Sequence, residues 1–228
     1  MENLLIKYMT DRISEEMKTN NVSRPVITIS REHGCNAWEI GNSLKEKLNR
    51  YNKNNDSNIW KCINKEVIEK SALYLKAHPE NISHIFDAKT INLLGEIITS
   101  FSNNKYISDD KIKNTIFSII SSYSKEGNNI IIGRAGCYIA KNIKNAIHIK
   151  LVAPLDFRIE NIKNIYNISK SDAKKQIIDI DKKRDNFINF YKKNDDDKIF
   201  HIIYNTKLLS TNEIVDSMYS LLNNHINQ

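Results

Sequence analysis

The sequence predicts an α/β fold with a mainly parallel β-sheet, and three observations support that prediction. Two short β-branched runs, residues 26–29 (VITI) and 130–132 (III), have the composition of strands buried on both faces. Segments with apolar residues at helical spacing alternate with these runs. Polar or glycine-bearing turns follow both runs, at residues 30–34 and 133–134, where the ligands of open parallel sheets bind. This alternation is typical of βαβ units with helices on both sheet faces.

The length and composition of the chain set the class of protein. A chain of 228 residues has the length of one domain, with or without an insertion. Hydrophobic residues make up 40% and charged residues 27%, which excludes intrinsic disorder and collagen-like structure. No apolar run approaches the roughly 20 residues of a membrane helix, and the first residues do not resemble a signal peptide. We therefore predict a cytoplasmic protein without a membrane partner.

The net charge and the cysteines restrict the partners. A net charge of +7 is compatible with an anionic partner, either a nucleic acid or a phosphorylated small molecule. The lysines are spread along the chain and form no compact basic block, so nucleic-acid binding is not expected. The three cysteines, Cys35, Cys62 and Cys137, are too widely spaced for a metal-binding motif. No metal site formed by the protein alone is predicted.

The first structural unit is predicted at residues 25–48. A strand follows Pro25, and a turn covers residues 30–36. From Ala37 onward Ile40, Leu44 and Leu48 recur at helical spacing, so a helix follows the turn. Strand, turn and helix in this order are typical of the opening of a nucleotide-binding α/β unit.

The remaining elements follow from apolar periodicity and from capping residues. Residues 3–19 are predicted to form a helix packed on the domain, so that residues 1–24 precede one domain at 25–228. A Ser-x-x-Asp pattern at Ser169 and a Ser-x-x-Glu pattern at Ser210 resemble capping boxes that begin two helices. The other predicted elements are helices at 65–77, 87–101 and 109–126, strands at 59–62, 130–132, 146–152 and 199–204, a helix at 169–191 and a C-terminal helix after residue 210.

Six motifs resemble one protein family. Residues 27–48 read ITISREHGCNAWEIGNSLKEKL, which resembles the opening of the cytidylate kinase-like proteins, a branch of the P-loop nucleoside monophosphate kinases that typically read ISREYGSGGREIGKKLAEKL there. The resemblance covers roughly residues 25–225. Five further motifs match in the same order, at residues 63–68, 130–140, 151–162, 181–184 and 202–208.

The resemblance implies a fold, an activity and a set of substrates. The fold would be a three-layer P-loop kinase-like fold, with a helical acceptor-binding insertion at about 64–127 and a lid region at about 155–198. The activity would be transfer of the γ-phosphoryl group of a nucleoside triphosphate to a pyrimidine monophosphate such as CMP. The cofactor would be Mg²⁺ with ATP or another nucleoside triphosphate.

The resemblance also implies the site residues. Those in the catalytic role are Arg134, Arg158, Asp181 and Arg184, and those that would bind the nucleotide are Arg31, His33, Gly34, Cys35, Asn36, Ala37, Trp38 and Glu39. Several of these residues also have a structural interpretation. Arg31 could pair with Glu32, and Arg134 could pair with Asp156. Asp181 and Arg184 could form a solvated helix pair, Trp38 could pack on the sheet, and Glu39 could cap its helix instead of binding Mg²⁺.

The predicted phosphate loop departs from the family pattern in charge. Ala37 stands where ordinary P-loop kinases have a lysine, and Trp38 replaces an arginine of the family. Asn36 replaces a glycine, which is tolerable because Asn adopts positive φ more readily than most residues. Loss of one transition-state donor typically lowers turnover by about 10²–10³. The alternative prediction is therefore a catalytically weak or inactive nucleotide-binding module.

Overall fold

The sheet that the sequence predicts is the centre of the structure. A computed structural model of the chain describes residues 24–51, 59–64, 109–192 and 198–226. Three predicted helices, at residues 3–19, 65–77 and 87–101, lie outside the described residues.

Within the described residues, five parallel strands form the sheet: β1 (Val26–Arg31), β2 (Lys61–Ile63), β3 (Asn129–Ile132), β4 (Ala146–Val152) and β5 (Ile202–Asn205). Their order in the sheet is β2-β3-β1-β4-β5. All four strand pairs are parallel, and Ile27 of β1 lies opposite both Ile130 of β3 and Ile147 of β4. The prediction of a mainly parallel sheet is confirmed.

Helices connect the strands, and two of them begin at the predicted capping boxes. The Ser169 hydroxyl accepts a hydrogen bond from the Asp172 N–H at 3.1 Å. The Ser210 hydroxyl accepts one from the Glu213 N–H at 3.3 Å. No helix in the described segments is long and apolar enough to cross a membrane. In the part of the chain that the structure describes, the helices are α1 (Ala37–Tyr51), α2 (Asp109–Glu126), α3 (Gly136–Ile139), α4 (Leu155–Tyr166), α5 (Lys170–Tyr191) and α6 (Thr211–Ile226).

Apolar side chains pack on both faces of the sheet, which makes the fold three-layered. Ile130 and Ile132 of β3 belong to a cluster with residues of α1 and α6. Ile131, between them, belongs to a second cluster that includes Ile116 and Ile120 of α2. Successive residues of a strand point to opposite faces, so this division is the expected result of burying β3 on both sides. The predicted three-layer α/β architecture is confirmed.

The last strand begins later than the sequence predicts. The prediction placed it at residues 199–204, whereas β5 begins at Ile202. Ile199 and Phe200 instead pack against the apolar cluster that contains α2. Two consecutive residues that pack into the same cluster do not alternate between sheet faces, so this segment is not part of the strand.

A buried histidine lies at the amino-terminal half of β4. The side chain of His148 is only 3% exposed, and its Nδ1 shares a hydrogen bond with the Thr28 hydroxyl at 2.8 Å. The ring of His201 lies beside it, with the ring centroids 5.4 Å apart. Burial, with a smaller contribution from His201, lowers the pKa of His148 to about 4. The imidazole is therefore neutral in the folded protein at pH 7.

We expect the protein to lose stability as the pH falls from about 6.5 to about 4. In this range the unfolded chain protonates His148 and the folded chain does not, so protons favour unfolding. The free energy of unfolding is therefore expected to fall by about 3 kcal/mol across this pH range. Urea unfolding at pH 7 and at pH 4.5 measures it, and His148→Asn is expected to show a smaller loss. An equal loss in the variant would assign the acid sensitivity to other groups.

Candidate functional site

The loop at residues 32–36 joins β1 to α1 at the carboxyl end of the sheet. Gly34 has a φ of 97°, and a Cβ there would lie 3.0 Å from both Cβ and the carbonyl oxygen of Arg158. Asn36 has a φ of 47°, as the sequence predicts for the residue in the family's glycine position. α1 begins directly after this loop, so the N–H groups of residues 37–39 have no acceptor within the helix. The loop therefore leads into a helix N-terminus whose dipole favours anions.

Arg158 holds the loop against α4, the helix that follows β4 and carries this side chain. Its Nη1 donates to the carbonyl oxygen of His33 at 3.2 Å, and its Nε donates to that of Ala153 at 3.1 Å. Its Nε also lies 3.5 Å from Oε2 of Glu32, which accepts a hydrogen bond from the Ala153 N–H. Asn161, one turn further along α4, donates to the carbonyl oxygen of Gly34 at 3.0 Å. The loop is thus fixed by side chains of α4.

Asp181 of α5 also reaches the loop. Its Oδ1 accepts a hydrogen bond from the His33 N–H at 2.8 Å, and its Oδ2 accepts one from Nη1 of Arg158 at 2.6 Å. Nη1 of Arg184 lies 3.5 Å from Oδ1 of Asp181 and donates to the Arg31 carbonyl oxygen at 3.3 Å. Asp181 and Arg184 are three residues apart and lie on the same face of α5. This face points at the loop and at the end of β1.

A cleft lies beside Arg184, between the carboxyl ends of β1 and β3 and the inner face of α5. Four of the described residues that line it are basic and none is acidic. Positive charge is therefore concentrated at the sheet edge where open parallel sheets bind ligands. The lining residues are Ser30, Arg31, Gly133, Arg134, Ala135, Ile180, Lys183, Arg184, Phe187 and Ile188.

The turn after β3 has an unusual backbone conformation. Gly133, Arg134 and Ala135 have successive φ values of 73°, 57° and 53°. A left-handed conformation costs a non-glycine residue roughly 1–2 kcal/mol, and such strain is concentrated at functional sites. A Cβ on Gly133 would lie 1.7 Å from Nη1 of Arg31, so the guanidinium of Arg31 lies directly against this glycine. The turn therefore presents Arg134 to the cleft and makes room for Arg31.

The other residues of the predicted phosphate site, in the loop and in the first turn of α1, do not line the cleft. Burial raises the pKa of Cys35 to about 11, so its thiol is protonated and is not a nucleophile at neutral pH. Ala37 is buried in the apolar cluster that contains residues of α1 and α6. Trp38 is 43% exposed, which does not fit the interpretation that it packs on the sheet. Glu39 accepts a hydrogen bond from the Thr211 hydroxyl at 3.1 Å, at the start of α6.

A comparison with protein families identifies the chain. Residues 26–208 match the cytidylate kinase-like family. The chain belongs to this family. The match covers the loop, the cleft, α4 and α5, so every described element of the candidate site lies within the part that the family shares. No curated protein is a significant match.

Solved structures agree with the fold of this cytidylate kinase-like protein. An uncharacterized protein from Eubacterium ventriosum ATCC 27560 superimposes with a TM-score of 0.61 at 18% sequence identity, covering 88% of this chain and 99% of that chain. Shikimate kinase from Bacteroides thetaiotaomicron superimposes with a TM-score of 0.51 at 12% identity, covering 87% of this chain and 98% of that chain. At these identities the comparison shows the fold alone, and that fold is the P-loop kinase fold.

The structure places the predicted site residues of this cytidylate kinase-like protein in three groups. Arg31, Arg134 and Arg184 line the cleft. His33, Arg158 and Asp181 are joined by hydrogen bonds at the loop. The third group, which surrounds or continues the loop, consists of Gly34, Cys35, Asn36, Ala37, Trp38 and Glu39.

Sequence reasoning missed three residues of the site. Lys183 lines the cleft, and it could have been found because it lies between Asp181 and Arg184 in the same motif. Asn161 is three residues after Arg158, so the helical period would have placed it on the same face. Glu32 was assigned only as a possible partner of Arg31, whereas it contacts Ala153 and Arg158.

Proposed function

We propose that the protein is a nucleoside monophosphate kinase-like phosphotransferase. It transfers the γ-phosphoryl group of a nucleoside triphosphate such as ATP to a pyrimidine monophosphate such as CMP. The observation that carries the proposal is the cleft beside the loop, which is lined by Arg31, Arg134, Arg184 and Lys183, the last paired with Asp179. Guanidinium and ammonium groups stabilise the charge on a transferring phosphoryl group and on the phosphate that accepts it.

Each part of the site has a role in this proposal. The backbone N–H groups at the start of α1 bind the donor phosphates, aided by the helix dipole. Arg134 and Arg184 bind the phosphoryl group in transit, because they line the same cleft from different elements. The protein forms no covalent intermediate, since positioning and charge neutralisation suffice for this reaction. The segment at about 155–198, which includes α4 and α5, acts as the lid region. The insertion at about 64–127, of which residues 65–108 lie outside the described residues, binds the acceptor.

Mg²⁺ enters as part of the triphosphate substrate. Within the described residues no group of three or more His, Cys, Asp or Glu side chains is placed to hold a metal ion. Phosphate-bound Mg²⁺ needs only one or two carboxylates from the protein, because it keeps several waters. Glu39, in the first turn of α1, is exposed and has one oxygen bonded to Thr211, so it fits the position of a single carboxylate ligand.

A second candidate function is nucleotide binding without turnover. It is favoured by the loop itself, which supplies no basic side chain at Ala37 or Trp38. In this candidate the loop and the cleft still bind phosphates, but the charge that lowers the transfer barrier is insufficient.

A nucleotide panel distinguishes the two functions. At about 100 times its Kd, ATP or GTP with Mg²⁺ is expected to stabilise the fold by about 2.7 kcal/mol, measured by thermal shift. Phosphoryl transfer is then assayed with CMP, UMP, AMP and GMP as acceptors, and CMP or UMP is expected to give the highest rate. Stabilisation without transfer to any acceptor selects the binding module. The absence of any nucleotide-dependent shift contradicts both functions.

A further inference from the structure

The contact between Asp181 and the loop suggests a role beyond phosphate transfer. Its carboxylate accepts one hydrogen bond from a loop N–H, that of His33, and one from the guanidinium of Arg158. Nη1 of Arg184 lies 3.5 Å from the same carboxylate. Asp181 thus bridges a loop amide and two arginines that project from different helices.

These donors are the kinds that bind phosphate in proteins. Backbone N–H groups of a turn and guanidinium groups both donate to anionic oxygens, and a carboxylate and a phosphate can each accept from them. One N–H of the loop cannot serve both anions fully at the same time. A phosphate that approaches the His33 N–H therefore competes with Asp181.

The Asp181 side chain can move away from the loop while the contacts of the loop with α4 remain. Arg158 retains the carbonyl oxygens of His33 and Ala153 and the nearby Glu32 carboxylate as partners. The Asp181 side chain is 25% exposed, so rotation about its χ1 bond can transfer the carboxylate to water. Asn161 continues to hold the Gly34 carbonyl oxygen from α4.

We propose that Asp181 is an internal competitor that occupies the phosphate-binding side of the loop until a polyphosphate displaces it. This rests on the proposed function, because the ligand is the triphosphate of the same site. Displacement also removes the intramolecular anion from Arg184, which lines the cleft. Binding of phosphates at the loop would therefore increase the positive charge available to the transferring phosphoryl group.

The test is the affinity of the full-length protein for inorganic tripolyphosphate, measured by isothermal titration calorimetry. This probe carries no base or ribose, so it reports on the phosphate site alone. Asp181→Asn removes the carboxylate at nearly constant volume and is expected to bind tripolyphosphate about tenfold more tightly, the change expected for the loss of one competing charge-assisted hydrogen bond. A residue with only a structural role would lower the affinity or leave it unchanged.

Asp185→Asn is the matched control. Asp185 is one turn further along α5 and exposed, so this variant changes the net charge equally and is expected to alter the affinity less than twofold. Asp181→Ala is a second variant, which leaves room for water beside Arg158. The same increase in affinity for tripolyphosphate is expected for it. If neither Asp181 variant folds, or if both bind tripolyphosphate no more tightly than the unmodified protein, the proposal is wrong.

The transfer assay on the same preparations separates this proposal from the proposed function. Transfer by the unmodified protein without tighter binding in Asp181→Asn contradicts only the competitor role. Tighter binding in Asp181→Asn without transfer by any preparation contradicts the kinase function and supports the competitor role. Failure of every preparation to bind tripolyphosphate contradicts both.

Discussion

Replacing Arg134 with alanine is expected to lower kcat for phosphoryl transfer at least about 100-fold, with a much smaller loss of nucleotide affinity. Arg134 lies in the left-handed turn after β3 and lines the same cleft as Arg31 and Arg184. Its contact with the phosphoryl group strengthens as charge develops in the transition state, so its removal affects the reaction more than binding.

Steady-state kinetics with the acceptor that works best measure this effect. Arg50→Ala is the matched control, because Arg50 is an exposed arginine in the last turn of α1, at the opposite end of that helix from the loop. Arg134→Lys retains the charge but not the fork of donors, and it is expected to recover part of the rate. Equal losses of kcat and of nucleotide affinity in Arg134→Ala would make Arg134 a binding residue only.

Replacing Arg158 with methionine is expected to lower the free energy of unfolding by about 3 kcal/mol, the lower end of the range for removing one partner of a buried ion pair. The side chain of Arg158 is 11% exposed and that of Asp181 is 25% exposed. Because water partly solvates the Asp181 carboxylate, the expected loss lies at the lower end of this range. The variant also leaves the carbonyl oxygens of His33 and Ala153 without their guanidinium donor.

Equilibrium urea unfolding at pH 7 measures this loss. Lys163→Met is the matched control on the same helix, since Lys163 forms an exposed i,i+3 pair with Glu160 and its removal is expected to change stability little. An Arg158→Met variant as stable as Lys163→Met would show that α4 does not fix the loop through Arg158.

The sequence predicts most of the fold because its signals are local. The bounds of β4 agree with the prediction at residues 146–152, and the hydroxyls of Ser169 and Ser210 cap the two helices that they were expected to begin. A capping box or a β-branched run encodes its own element within a few residues. The starts of β2 and β5 were predicted too early, at residues 59 and 199, whereas these strands begin at Lys61 and Ile202. Ile199 and Phe200 depend on which distant cluster they pack into, which local patterns do not specify.

The candidate site is less predictable because its contacts join distant parts of the chain. The motifs indicated that Arg158 and Asp181 belong to the site, and helical spacing placed Asp181 beside Arg184. Periodicity does not specify that α4 and α5 both pack on the loop, so the contacts between His33, Arg158 and Asp181 required the three-dimensional arrangement. A motif identifies a functional side chain, whereas its partner depends on how the helices pack.

The contact of Arg31 with Gly133 has a consequence for ligand affinity. A long flexible side chain ordinarily loses up to about 2 kcal/mol of rotamer entropy when a ligand immobilises it. Arg31 is already confined, because its guanidinium lies against a glycine whose missing Cβ provides the space. The ordering of this side chain occurs during folding of the chain, not during capture of a phosphate. The guanidinium of Arg31 is therefore already in place when an anion enters the cleft. Binding of the anion costs little further rotamer entropy of this side chain.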